Sequence, residues 1–486
     1  MIAHDDIREL VAEWRLREDV IEKDYVIGWL LWGIGSQPEL RNAWTFKGGT
    51  CLKKCFIETW RFSEDLDFTV LTGGPMNVDA LTEIFKDVLN RVHSESGIDF
   101  SVKQPVFKES KSHDYTGGSI YYRGPRKHPQ PARIKLDLLG SEKLVKPSVF
   151  RQIFNPYTEY EKNGYPQAGD VLCYSFEEVF AEKIRAMGER CRPRDLYDIV
   201  NLFRNRNDIE TDADTIYQVL CEKCKNKNLP VTSFHSIDAS IHKQELIAEW
   251  ENMLRHQLPL LPDFKSFWDD LPGLFRWLEN LAPLIRLASI PRDSGEQVTA
   301  WAPPRTLGVW GTGYSLETIR FAAFNHLCVD ISYLKQGHEY KQYRIEPYSL
   351  YKTQEGNTIL RAVRVDNGEP RSFRIDRIRK ATVTNVTFAP RFQIDMCAKG
   401  PSISFQKPSK RNLPKTSGHI PKVQRPVSFG IKTKSTFSTG ITYVYECPFC
   451  HKIFRRSSMD SKLNTHKGLY GMNCPGNMGV LVKTKY

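Results

Sequence analysis

The sequence predicts an α+β protein of several domains, on three observations. Its 486 residues exceed what one ordinary hydrophobic core organises, so two to four domains are expected. Helical periodicity and short alternating strand runs are interleaved over roughly residues 1–285, and a strand-rich stretch follows at 303–392. The charge is also divided. Of a net +12, the segment 394–486 carries sixteen Lys and Arg against Asp395, Glu446 and Asp460, which leaves residues 1–393 close to neutral at −1.

Hydrophobic content of 40% with 12% aromatics excludes a disordered chain. The start of the sequence has neither a basic region nor an apolar run, so no signal peptide is expected there. The best apolar stretch, Val26 to Ile34, is far shorter than the roughly 20 residues that span a bilayer. No membrane partner and a cytoplasmic location are therefore expected. Eleven cysteines in that compartment stay reduced, as core thiols or metal ligands. Cys51, Cys55, Cys173, Cys191, Cys328 and Cys397 look scattered, and only Cys447, Cys450 and Cys474 look organised around a site.

The first chemical segment is Trp44 to Lys54, read as a strand, a glycine turn and a helix start. Gly48 and Gly49 permit close backbone approach and positive φ, Thr50 is placed to cap the helix, and a helix N-terminus favours phosphate. At Asp65 to Val70 the residues Leu66, Phe68 and Val70 alternate with Asp65, Asp67 and Thr69. In a strand this puts both aspartates on one face, where like charges repel unless a cation such as Mg²⁺ lies between them. The run Arg133 to Leu139 alternates in the same way and offers Asp137 as a third metal ligand.

A helix is expected from Ser175, which with Glu178 forms a capping box. Phe176, Val179, Phe180, Ile184 and Met187 make its apolar stripe, and Lys183 falls in the middle of it. A lysine there is costly unless its ammonium meets anionic partners or snorkels to the surface, and beside a phosphate-binding cleft it could bind the triphosphate or orient the nucleophile. Pro193 starts another helix that carries Asp195 and Asp198 on one face. The pair Cys221 and Cys224 sits in a helical pattern with no complementary pair and reads as a decoy for a metal site.

Taken in order, Lys47-Gly48-Gly49-Thr50 with Leu52 and Lys54, Arg61 to Asp67, Glu178 to Ala186 and Arg194 to Asp198 resemble the AbiEii/AbiGii-type nucleotidyltransferases. These are toxins of bacterial toxin–antitoxin and phage-defence systems, related to the MenT toxins. Glu22-Lys23-Asp24-Tyr25 resembles that family's N-terminal signature. The resemblance implies a DNA polymerase β-like core with a helical C-terminal part over 1–285, and Mg²⁺ on Asp65 and Asp67. It implies nucleotide contact for Gly48, Gly49, Thr50, Lys54 and Lys183, and an essential acidic role for Asp195. Cys51 stands where relatives often have serine. The implied reaction moves a nucleotide from an NTP to an RNA acceptor, with tRNA favoured. The alternatives are a protein acceptor, or a nucleic-acid sensor with an inactive transferase domain. An antitoxin protein joins the candidate partners on the same ground.

Residues 303–392 resemble a WYL-type domain, an SH3-like β-barrel, through Tyr343 to Leu350 and Arg371 to Ile378. The family's namesake tripeptide is replaced by Thr358-Ile359-Leu360. A helix over Ser315 to Leu327 precedes strands joined by turns at Gly356-Asn357 and Asn367-Gly368, and Arg371, Arg374 and Arg377 are candidate nucleic-acid contacts. A basic linker, 394–440, leads to a small Cys/His module, 441–486. There Cys447-Pro448-Phe449-Cys450, then His466 and Cys474, fit structural Zn²⁺, with His451 the rival fourth ligand. A piece of about 45 residues buries too little surface to fold unaided, so metal would supply folding energy. Arg455 and Arg456 are its candidate nucleic-acid contacts, consistent with the basic tail.

Overall fold

The computed structural model describes residues 1–57, 61–140, 142–155, 157, 169–206, 212–283, 287–291, 298–299, 315–335, 339–353 and 355–396, then 442–447, 453–456, 462–464, 466 and 480–485. The chain divides into two compact units, Met1–Ser402 and Ile403–Tyr486.

The first unit opens with α1 (His4–Trp14) and α2 (Glu18–Gly35). From Val20 onward α2 is buried on nearly every face, which is why its sequence shows no polar side. Two acids in it are buried with partners. Glu22 accepts the Arg126 amide at 2.8 Å, and Asp24 accepts the Lys54 ammonium at 2.7 Å. Lys23, between them, reaches Glu64 at 2.6 Å.

A seven-stranded mixed sheet follows, built from β1 (Trp44–Lys47), β2 (Asp65–Val70), β3 (Val106–Glu109), β4 (Tyr115–Tyr122), β5 (Ala132–Leu139), β6 (Val149–Gln152) and β7 (Asp170–Cys173). Its spatial order is β3-β4-β5-β2-β1-β7-β6. β2 runs antiparallel to β1 and parallel to β5, while β1 and β7 are parallel. The alternating runs expected at 65–70 and 133–139 are therefore strands, and they lie side by side. One face packs on α2 and on α5 (Val78–Ser96), whose N-terminus is capped by Asn77 and whose end is turned by Gly97 at φ +72°.

Between β1 and β2 stand the short α4 (Gly48–Cys51) and a π-helical turn, Leu52–Phe56. The cap of α4 is Lys47, in extended conformation, so Thr50 lies inside the helix and does not cap it. After the sheet come α6 (Phe176–Arg190), α7 (Pro193–Arg204), α8 (Ala213–Asn226) and shorter helices to Leu278. Ser175 caps α6 by accepting the Glu178 amide at 3.2 Å. The reciprocal half of the expected capping box is absent, because the Glu178 carboxylate accepts the amides of Val145 and Lys146 and pairs with Lys223.

A second, antiparallel sheet is ordered β12 (Pro370–Arg374), β11 (Thr358–Arg364), β10 (Tyr340–Thr353), β9 (Leu327–Leu334), β13 (Ile378–Thr387), with β8 (Val298–Thr299) on β10. The helix before it, α13 (Ser315–Phe324), ends three residues short of the expected limit. His326 takes φ +55° and Leu327 already begins a strand. Gly356 and Gly368 both have positive φ, as their turns require. One apolar core runs from Leu52 through α6 and α7 into this sheet as far as Met396. In the second unit, β14 (Thr442–Glu446) is flanked by β15 (Ile453–Arg456) and β16 (Val480–Lys485).

Candidate active site

Sheet register assembles the acids. Lys47 on β1 is opposite Asp67 on β2, and Asp67 is opposite Asp137 on β5. Directly paired residues share a face, and Asp65, two positions from Asp67, joins them. Three carboxylates thus meet on adjacent strands at the glycine turn. Gly48 holds φ +83°, and a methyl group there would come within 2.4 Å of Asp67 Oδ2. Only a glycine lets the turn sit this close to the acid.

The electrostatics record the crowding. Burial pushes the Asp67 carboxyl up to about 6, and the charges of Asp137 and Asp65 add to it, while Lys47 and Lys183 pull the other way. Asp137 is held in place by the Tyr115 hydroxyl, donating at 2.6 Å, and by Lys135 at 2.5 Å. Lys47 is paired with Glu142, which also accepts from the Thr69 hydroxyl.

Lys183 approaches from α6. It is buried, as its place on the apolar stripe requires, and its Nζ lies 2.8 Å from Asp198 Oδ2 and 3.7 Å from Asp195 Oδ1. Asp198 is gripped on both oxygens by Arg61 at 2.8 Å, and Arg61 also donates to Gln257. Burial alone would push the Asp198 carboxyl up, yet Arg61 and Lys183 outweigh it and hold it at about 2. Asp195 is fully buried and takes a second fork from Arg190, at 2.7 and 2.9 Å. Asp195 and Asp198 together therefore hold Lys183 in position.

Thr50 spends its hydroxyl on the Asp65 carbonyl at 2.5 Å, fixing the turn to the acid strand. Lys54, expected at the nucleotide, is 1% exposed and paired with Asp24, which also accepts the Tyr157 hydroxyl. The structure thus commits Lys54 to the buried frame between α2 and the π-turn. Arg61 and Asp198 were visible in the motifs without an assigned role. The signal that could have marked them is local: Arg61 stands between Trp60 and Phe62, and Asp198 among Leu196, Ile199, Val200 and Leu202. A separate cleft of about 460 Å³ is lined by Arg15, Leu16, Arg17, Glu251, Asn252, Arg255 and His256. His256 Nε2 is 3.9 Å from Glu64, the neighbour of Asp65.

Among the cysteines the structure corrects the expectation of scatter. Cys51, Cys55 and Cys173 are buried with their sulfurs all within 4.8 Å of one another. Cys221 and Cys224 stand on α8 as free thiols. In the second sheet Arg371 lies over the Tyr343 ring at 4.8 Å, Arg374 forks onto Asp376, and Arg377 falls in a 3₁₀ turn. In the second unit Cys447 and His466 are buried, and the His466 ring meets Phe454 edge-on at 4.7 Å. Cys450, His451 and Cys474 lie outside the described residues. Arg455 and Arg456 lie on β15. No described helix is long and apolar enough to cross a membrane.

Comparison with known families gives the class, and the chain is a nucleotidyltransferase. It belongs to the AbiEii nucleotidyltransferase toxins of type IV toxin–antitoxin systems, which it matches over residues 29–273. Residues 315–383 match the WYL domain. Similar solved structures include MenT4, a nucleotidyltransferase toxin of Mycobacterium tuberculosis H37Rv. It is 16% identical with a TM-score of 0.40, over 58% of this chain and 91% of that one. The proteasome accessory factor B/C of Arthrobacter aurescens is 10% identical with a TM-score of 0.17, over 78% of this chain and 73% of that one. No curated protein matches.

Proposed function

We propose that this chain is a toxin or phage-defence effector that transfers a nucleotide from an NTP to an RNA acceptor, with tRNA favoured. The observation that carries the reading is the acid face on β2 and β5, with Lys183 held opposite it. Asp65, Asp67 and Asp137 suit Mg²⁺, because three oxygen donors share one face and Asp67 is left short of compensating charge. When bound, such an ion would neutralise charge on the triphosphate oxygens and lower the barrier to displacement.

The chain's own residues supply the rest. The amides at Gly48 and Gly49 begin α4 and face phosphate at a helix N-terminus, with Thr50 holding the turn to Asp65. The acceptor hydroxyl oxygen bonds to the α-phosphorus and gives up its proton to solvent, the bond from that phosphorus to the bridging oxygen breaks, and pyrophosphate leaves. Lys183, fixed by Asp198 and Asp195, meets the charge that develops on the phosphates. The cleft offers the guanidinium groups of Arg15, Arg17 and Arg255 to an acceptor's backbone, with Glu251 the one acid in its lining.

The division into a transferase domain at 1–285, a WYL-like domain at 303–392, a linker at 394–440 and a module at 441–486 belongs to the same reading. The second sheet is read as an SH3-like barrel that presents Arg371, Arg374 and Arg377 to nucleic acid. Cys447, Cys450, His466 and Cys474 are read as ligands of structural Zn²⁺, with Arg455 and Arg456 beside them on nucleic acid. Cytoplasmic action and an antitoxin partner complete it.

The test is label transfer from each radiolabelled NTP into whole-cell RNA or protein, separated on gels. Asp65→Ala and Asp67→Ala should abolish transfer and relieve toxicity. Transfer retained in both variants removes the assignment, and label running with protein overturns the choice of RNA.

A further inference from the structure

We propose that Cys51, Cys55 and Cys173 form a thiolate site for a soft divalent ion of the zinc class, seated behind the glycine turn. Cys51 ends α4, Cys55 lies in the π-turn, and Cys173 closes β7. Residues distant in sequence thus bring three soft donors to one point, with exposures of 0%, 2% and 0%. Free cysteines do fill cores as small apolar groups, but such packing does not require three sulfurs to face one another.

Their mutual separation, within 4.8 Å, is compatible with about 3.8 Å between sulfurs that share one zinc at about 2.3 Å each. The π-turn is a second and independent mark. A π-turn is a costly widening of a helix and is frequent at functional sites, and here it carries Cys55. No hard oxygen donor belongs to the group among the described residues, which favours thiolate-loving ions over Mg²⁺. Three thiolates with a divalent ion leave one negative charge, and the Arg151 guanidinium is the cation beside Cys51 and Cys55, Lys54 being already paired with Asp24.

The consequence is mechanical. Cys51 directly follows Thr50, and the residue after Cys173 donates its amide to Phe46 O on β1 at 3.0 Å. An ion shared by the three sulfurs would tie α4, the π-turn and β7 together and fix the turn that abuts Asp67.

The experiment uses the full chain carrying Cys447→Ser and Cys450→Ser, so that C-terminal thiols do not contribute. Zinc is measured by mass spectrometry and by its release with a mercurial in the presence of a metal-sensing dye. Cd²⁺ is then titrated into metal-stripped protein while the thiolate-to-metal absorption is followed. The expected result is one equivalent of zinc, or one of Cd²⁺ with the charge-transfer band, lost when Cys55→Ser or Cys173→Ser is added. A folded chain with no zinc and no band would overturn the site, as would a disulfide among the three found by peptide mapping. If the added serine variants do not fold, the zinc and Cd²⁺ readings on the parent chain decide alone. No nucleotide enters the measurement, so its failure is separate from failure of the transferase reading.

Discussion

At the scale of single residues, Asp67 trades stability for chemistry. Its carboxyl sits near 6 in the folded chain, above the unfolded value of about 3.9. Stability is therefore greatest when Asp67 is protonated and is lost as pH rises through the window from about 4 to 6. Asp67→Asn should stabilise the fold in Mg²⁺-free buffer at neutral pH by an amount on the order of 1 kcal/mol, read as a higher melting temperature, because the group is part exposed to solvent. That gain should shrink through pH 5 and vanish below about pH 4, where the carboxyl is protonated in both the folded and the unfolded chain, while label transfer is absent throughout. An unchanged or lower melting temperature at neutral pH would contradict the crowded-acid picture. Gly48→Ala tests the same point from the turn. Positive φ costs an alanine about 1 kcal/mol, and its methyl would collide with Asp67. Transfer should fall by roughly 100-fold or more with the fold retained, as measured by circular dichroism alongside label incorporation.

At the scale of elements, α6 and α7 are locked by the chain Lys183–Asp198–Arg61, which reaches back to the segment before β2. Removing one member leaves buried charge without its partner, which typically costs about 3–5 kcal/mol. Asp198→Asn should lower stability by that amount in urea titrations at neutral pH and should reduce transfer. The folded carboxyl titrates at about 2 against about 3.9 unfolded, so its contribution is present above pH 4 and is lost as pH falls toward 2. The gap between wild type and variant should close over that window. A variant as stable as wild type at pH 7 would mean that Asp198 carries none of this lock. The helices were legible from their stripes, and Lys183 was marked by its place on one. The pairing of Arg61 with Asp198 was not, because they lie 137 residues apart and meet only when α7 packs against the segment that precedes β2.

At the scale of the molecule, the transferase region and the second sheet share one apolar core within the unit 1–402. Arg204 of α7 donates to the Phe324 carbonyl, and Arg15 donates to the Val383 carbonyl. A fragment ending at 285 would expose that core. It should be insoluble, or should melt roughly 10 °C or more below a 1–402 fragment, at about 2–4 °C per kcal/mol lost. Calorimetry of the two fragments checks this, and equal melting temperatures would show that the shared core contributes little.

What the sequence determined by itself was local. Period-two alternation put Asp65 with Asp67 on one strand face, and Lys135 with Asp137 on another. The glycines marked the turn, and a lysine on an apolar stripe marked Lys183. The tertiary structure alone decided that β2 and β5 are neighbours with Asp67 opposite Asp137, and that Gly48 abuts Asp67. It also turned Lys54 into the frame with Asp24 and gathered Cys51, Cys55 and Cys173. The physical reason is one of range. Backbone periodicity fixes where a side chain points within its own element, whereas strand order and helix docking are set by burying apolar faces between segments far apart in the chain.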